Sequence, residues 1–309
     1  MDHLKREKGE LLSLPPLEKN KLSAMLFSKK ALPYWLLLPA FIYYAVFWLT
    51  PVLTGIVQVF TDTDGNFTLT GNFKLMLESD LFGPAVMNTA LFAVVSVLLQ
   101  FFIALTLAVL LNRKFKGAKL LMFIAMIPMA ITPTAVAILW KTGLIKDGWL
   151  NTVLMFFKLI KEPVVFMNAG GLSAVLLLIL IDTWTVTPSV MIILSAGLQG
   201  IPKEVKEAAY TFGANKWQTF IHIVLPILKP SIITAVILRF IAAVQVWAIA
   251  VMVLGFSKAP FLVERIAFYV DMVPGLPTSE KIAFTLSFTT TVIVLLGTVL
   301  YLKVAKKRA

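Results

Sequence analysis

Six stretches of this chain are apolar for about the 20 residues that a helix needs to cross the hydrocarbon core of a bilayer. They run from Tyr34 to Val57, Thr89 to Leu111, Lys119 to Trp140, Leu172 to Leu198, Pro230 to Leu254 and Ile282 to Leu302. Lipid offers no partner to an unpaired backbone N–H, so each is predicted to be helical. The expected fold is therefore all-α: a polytopic membrane protein with six transmembrane helices. The first stretch starts late and holds Pro33, Pro39 and Pro51 without a small-residue cleavage site. It reads as a retained span and not as a cleaved signal. Tyr34, Trp35, Tyr43, Tyr44 and Trp48 crowd it, as interfacial anchors do. Residues 1–32, with Pro15-Pro16 and many charges, read as a cytoplasmic tail. Residues 33–309 read as the transmembrane domain.

The polar intervals orient these spans. Basic residues concentrate in the N-terminal segment, in the second loop (Arg113, Lys114, Lys116, Lys119), in the fourth (Lys203, Lys206, Lys216, Lys229) and at the C-terminus (Lys303, Lys306, Lys307, Arg308). The first loop has only Lys74. The third, with Lys141, Lys146, Lys158 and Lys161, weakens the bias without reversing it. Both termini and the second and fourth loops are thus expected in the cytoplasm of a plasma membrane.

Composition agrees: 59% of the 309 residues are hydrophobic, 14% are charged, and mean hydropathy is +0.88. Ordinary soluble domains are nearer half apolar and a quarter charged. The net charge of +12 could suggest nucleic acid. Basic cytoplasmic loops facing anionic lipid account for it more simply. The chain has no cysteine, which excludes disulfides, Cys-ligated zinc and Cys nucleophiles. Only His3 and His222 offer imidazole, and there is no H-E-x-x-H pattern, so no metal or other cofactor is expected. No G-x-x-x-x-G-K-[ST] loop is present, so any ATP must be bound by another chain. An intramembrane enzyme would need a Ser–His, paired-Asp or metal constellation in the spans. Asp182 is the one clear intramembrane acid.

The fourth loop, residues 199–229, carries the most information. Pro202 suits the first turn of a helix, and Glu204 and Glu207 suit its positive end. Val205, Ala208, Ala209 and Phe212 share one face at helical spacing, and Gly213 fits a helix stop. A second amphipathic piece follows through Trp217, Phe220 and Ile221 up to Pro226. The pair could dock into a groove of a partner protein or rest on lipid, and its physics allows both.

Glu207-Ala208-Ala209, then Gly213, then Ile223, Leu225 and Pro226 at fixed spacing resemble in full the EAA signature of bacterial and archaeal ABC import permeases. That resemblance implies a type I ABC importer permease fold and makes 199–229 the loop that sits in a cleft of the ATPase. Glu207, Ala208 and Ala209 would form the docking surface. Gly213 would supply the turn, and Leu225 and Pro226 would return the chain to the membrane. Asn88-Thr89, Leu111-Asn112-Arg113, Ile127-Pro128 and Ala196-Gly197-Leu198-Gln199 further resemble the carbohydrate branch, similar to the larger permease subunit of maltose importers. The chain departs from that branch at Phe212, where an aspartate is usual, and at Gly255–Pro260, where Gly-Gly-Pro is common. The implied partners are two ATP-binding subunits, a second permease subunit of different sequence and an extracytoplasmic solute-binding protein. The implied cargo is a sugar or oligosaccharide, with glycerol phosphate or a polyamine as alternatives.

Polar groups inside spans are costly and are functional candidates. Asp182, Thr185, Val186 and Ser189 lie on one face at helical spacing. The corresponding face lines the sugar site in the resembled branch. In the fifth span, Leu238, Ala242 and Gln245 form a similar face, and the resemblance again implies cavity contacts there. Asp182 could meet solute or pair with Arg239, and Trp184 and Trp247 could stack on a sugar or simply pack. A secondary transporter driven by an ion gradient would instead show repeat-related broken helices. No internal repeat is visible, and the EAA loop would be left unexplained.

Overall fold

The structure, a computed structural model, describes residues 32–113, 115–166 and 170–307. The expected tail lies outside these residues, except for Leu32, which is already helical. The chain divides into two units at Val57/Gln58. In the first, helix α1 (Leu32–Val59) is apolar and solvent-exposed along most of its length, a surface suited to lipid. Its middle turn, Ala45–Leu49, is a π-helix.

The second unit contains α2 (Gly71–Glu78), α3 (Phe82–Leu111), α4 (Ala118–Ala130), α5 (Pro133–Leu144), α6 (Trp149–Phe156), α7 (Gly171–Gln199), α8 (Lys203–Thr211), α9 (Lys216–Val244), α10 (Ala248–Leu254), α11 (Leu262–Asp271) and α12 (Pro277–Lys307). Among the described residues the only β pairing is a single bridge, Thr61 with Phe67. Helices α1, α3, α7, α9 and α12 are long and apolar enough to span a membrane.

Two of the expected spans take a different form. The third, Lys119 to Trp140, is broken into α4 and α5, which meet at 92°. Thr132 precedes Pro133, and the proline ring drives its predecessor to extended backbone, here ψ 147°. Thr132 then caps α5 by accepting the Ala135 N–H, with Pro133 at its first turn. The fifth, expected over Pro230–Leu254, begins earlier and ends sooner. Helix α9 runs without a break from Lys216 to Val244, then the chain opens at Gln245–Trp247 before α10.

That continuity depends on a π turn at Phe220–Val224, where the Leu225 N–H donates to Phe220 O five residues back. Pro226 follows. A proline has no N–H to donate and its ring crowds the carbonyl four residues earlier. Widening the preceding turn relieves both conflicts. Helix α1 repeats the device: Thr50 N–H donates to Ala45 O immediately before Pro51.

Helices α3, α7 and α9 form the central pack. One apolar cluster joins Phe92 and Val97 of α3 to Leu178 and Ile181 of α7, Val244 of α9 and Trp140 of α5. A second joins Ala104 and Ala108 of α3 to Met191 and Leu194 of α7 and Leu228 and Ala235 of α9. Small residues allow the close approach, as is usual between helices in lipid. At Gly197 an added Cβ would strike Ser231 and Leu228. Asn88 and Thr89 anchor the start of α3: Asn88 Nδ2 donates to Pro260 O (2.9 Å), and Thr89 Oγ1 accepts the Leu262 N–H (3.0 Å).

Candidate functional site

The loop between α7 and α9 is a rigid knob. Helix α8 ends in a Schellman motif: the Gly213 N–H donates to Tyr210 O and the Ala214 N–H to Ala209 O, both at 3.0 Å. Gly213 has φ +82°, the left-handed region that side chains disfavour. Two residues later Asn215 opens α9 with a capping box, exchanging bonds of 2.8 Å with Gln218. Both helix ends are therefore satisfied within eight residues of chain.

The expected apolar face of α8 is split. Ala209 is buried and Val205 half-buried, whereas Glu207, Ala208 and Phe212 are exposed. Phe212 is 90% exposed, with Tyr210 and Trp217 also projecting. Sequence reasoning did not single out these three aromatic rings as a projecting set. Their signal was large apolar side chains in a loop otherwise rich in charge. Leu225 is half-buried and Pro226 exposed, both inside α9 beyond the π turn.

Within the spans, Asp182 is an internal group. Gln100 Nε2 donates to Asp182 Oδ2 (2.7 Å), Arg239 Nη2 donates to the same oxygen (3.0 Å), and Arg239 Nε donates to Gln100 Oε1 (2.7 Å). This closed triangle ties α3, α7 and α9 together. By position on each helix it lies between the two apolar clusters. Gln100 is fully buried, and the Arg239 and Asp182 side chains are 12% and 14% exposed. Sequence reasoning missed Gln100, although an amide inside an apolar stretch of that length is itself a signal.

Thr185, Val186 and Ser189 are half-buried on the same helix, and the two hydroxyls donate to Ile181 O and Val186 O. Trp184 packs edge-on against Trp140, with ring centroids 5.8 Å apart. Leu238 and Ala242 of α9 and its C-cap residue Gln245 are all exposed and so form an open face at the helix's far end. Gln245 and Trp247 also line a cleft of about 290 Å³ with Ser287, Thr290 and Thr291 of α12. The Thr290 hydroxyl is buried there without a partner. Such a mixture of amide, hydroxyls and an indole can bind the hydroxyls and C–H faces of a polyol. Among the described residues no cluster of His, Asp or Glu is arranged to hold a metal.

The family described as "binding-protein-dependent transport system inner membrane component" matches residues 100–308. The trehalose/maltose transport system permease protein of Thermococcus litoralis is 30% identical over 301 residues, covering 94% of this chain and 99% of that one. The lactose transport system permease protein of Rhizobium radiobacter is 32% identical over 218 residues, covering 69% of this chain and 73% of the relative. A crystal structure of a bacterial ABC transporter involved in the import of the acidic polysaccharide alginate contains a chain of the same fold. The TM-score is 0.80 at 21% identity, over 93% of this chain and 99% of that one.

Proposed function

Because the chain belongs to the family of binding-protein-dependent transport system inner membrane components, we propose that it carries a sugar or oligosaccharide across the membrane. In this reading it is one permease subunit of an ATP-driven importer. An extracytoplasmic protein delivers the solute, and a second permease subunit completes the pathway. Separate subunits hydrolyse ATP, since this chain has no phosphate-binding loop. The observation that carries the reading is the knob between α7 and α9. A short helix closed at its C-terminus by the Gly213 turn and followed directly by the Asn215 capping box, with Tyr210, Phe212 and Trp217 projecting, is preorganised to enter a groove at low ordering cost. Glu207 and Ala208 lie on its outer surface, Ala209 seats it, and Gly213 sets its turn. Leu225 and Pro226 carry the chain on into α9.

The pathway is assigned to Leu238, Ala242 and Gln245 on the open face of α9 and to Thr185, Val186 and Ser189 on α7. Asp182 holds α7 from within and does not meet the solute. The sugar assignment is supported by relatives named for trehalose/maltose and lactose.

The test is co-purification with ATP-binding subunits, comparing the wild type with Gly213→Val and Glu207→Lys. A non-glycine residue in the left-handed region costs about 1–2 kcal/mol. Gly213→Val should therefore leave the spans folded but lose ATPase subunits and solute-stimulated hydrolysis. Normal assembly and stimulation in both variants would overturn the docking role. Thermal-shift screening of the cognate binding protein addresses cargo: stabilisation by glycerol phosphate or a polyamine, and not by oligosaccharides, removes the sugar.

A further inference from the structure

A cleft of about 970 Å³ opens where the ends of α3 and α7 meet the start of α4. Its floor is apolar, with Leu111, Met122 and Leu198. Its rim is cationic, with Arg113 just after α3, Lys119 in the first turn of α4, and Lys203 and Lys206 from α8. Among the described residues no acidic side chain lines it. Four cations around one opening repel each other.

Two further features of the cleft suit an anion. Ser195 lines the inner wall at 4% exposure, and its hydroxyl has no partner. A helical serine ordinarily bonds a carbonyl of the preceding turn, and buried polar atoms are normally paired. Helix α4, 13 residues long, begins at this cleft with no side-chain cap. Its N-cap is Gly117, at φ +92° and with open space where a Cβ would stand. The first-turn N–H groups add partial positive charge at the same opening.

We infer that this cleft binds a phosphate-bearing anion at the cytoplasmic face. The phosphate sits among Arg113, Lys119 and the basic residues of α8, above the wall that contains Ser195. The apolar floor fits the first carbons of an acyl chain, as in inner-leaflet phospholipid sites between helices. A soluble phosphate offers the same headgroup chemistry. Because Lys203 and Lys206 belong to the knob helix, an occupied site would brace α8 against α3 and α4.

The assembled transporter would be purified and placed in nanodiscs of phosphatidylcholine with or without phosphatidylglycerol. Lipid retained after detergent exchange would be counted by native mass spectrometry, and inorganic phosphate binding would be measured in phosphatidylcholine-only discs. Loss of two headgroup cations should cut occupancy about tenfold or more in Arg113→Gln/Lys119→Gln. Lys158→Gln/Lys161→Gln, in the third loop, should leave it unchanged. A charge-dependent loss of phosphatidylglycerol identifies the lipid headgroup. Loss of inorganic phosphate binding alone identifies a soluble anion. Equal occupancy of both probes in wild type and Arg113→Gln/Lys119→Gln overturns the site. If that variant fails to assemble, Arg113→Gln alone removes one rim cation and should lower occupancy in the same direction, and equal occupancy there overturns the site as well.

Discussion

Truncating Asp182 to alanine should destabilise the transmembrane bundle more than it disturbs solute recognition. Asp182 Oδ2 receives two hydrogen bonds, from Gln100 and from Arg239. Removing the carboxylate leaves the Arg239 guanidinium with only the Gln100 amide oxygen. In bilayers a lost interhelical hydrogen bond averages about 0.6 kcal/mol, because the separated helices also find partners. Two such bonds set a floor of about 1 kcal/mol. The larger contribution is the stranded charge: breaking a buried ion pair from one side costs about 3–5 kcal/mol. At 12% side-chain exposure Arg239 lies close to that limit, so a loss of about 3 kcal/mol is expected. Arg239→Met should cost a similar amount. Asp182→Leu/Arg239→Met, which removes both charges, should recover much of the loss. Unfolding of the purified permease can be followed by intrinsic tryptophan fluorescence, since Trp184 and Trp140 pack together close by. Solute-stimulated ATP hydrolysis would be measured in parallel. The reasoning fails if Asp182→Ala keeps the wild-type unfolding midpoint yet abolishes stimulation, while Arg239→Met changes neither. Asp182 would then act on the solute.

Two more outcomes follow from packing and charge. Gly197→Leu forces side-chain atoms into Ser231 and Leu228 across the α7–α9 contact; overpacking of this kind costs about 1–3 kcal/mol, and a lowered unfolding midpoint checks it. Glu264, on α11 outside the spanning helices, has its carboxyl pushed above the usual range by burial, although Ser257 N–H and Arg265 act against the shift. The native state therefore holds this proton to higher pH than the unfolded chain does, so the contribution is fully present below the unfolded pKa and is lost as pH rises through the folded one. Glu264→Gln should flatten stability across that window, and an unfolding series between acid and neutral pH that is no flatter than the wild type counts against it.

The sequence made the spans legible because lipid leaves the backbone no alternative to helix and apolar length is a one-dimensional property. It also showed the knob, since Pro202, Gly213 and Pro226 punctuate local structure whatever surrounds them. Asn215-x-x-Gln218 was an equally readable helix start that passed unnoticed. The 92° break at Thr132-Pro133 was visible in principle, because a cap residue before a proline is a start signal inside what looked like one span. The π turns were not: they come from carbonyls re-partnering ahead of Pro51 and Pro226, which hydropathy does not register. The company Asp182 keeps was half legible: Arg239 stood as one of two alternatives, whereas Gln100, 82 residues away, was not named, because no helical spacing links it to Asp182. Asn88 and Thr89 are a similar case: they matched a family pattern, but only the fold gives their task, holding the backbone at Pro260 and Leu262.

The disposition of polar groups suits a mechanical subunit better than a chemical one. The charged pair inside the spans is spent on its own neighbours, so it fixes helices in place and is not free for reaction. Exposed faces lie near both ends of α9. One end begins at Lys216, three residues after Gly213 of the knob, and the other carries Leu238 and Ala242, with Gln245 as its C-cap. At 1.5 Å of rise per residue, the 29 residues of α9 make a rod of roughly 43 Å joining the two. Arg239 secures that rod to α3 and α7 near its far end, and the π turn at Phe220–Val224 supplies one place near the knob where its hydrogen-bond register is already relaxed. Under the proposed docking, a displacement of the knob would be carried along α9 to the pathway face without crossing a loop. Removing the π turn, for instance by Pro226→Ala with deletion of one residue of Phe220–Val224, would take away the one relaxed turn between the knob and the pathway face. The expected result is intact assembly with solute stimulation of ATP hydrolysis lost; retained stimulation would mean that the rod is not the connection.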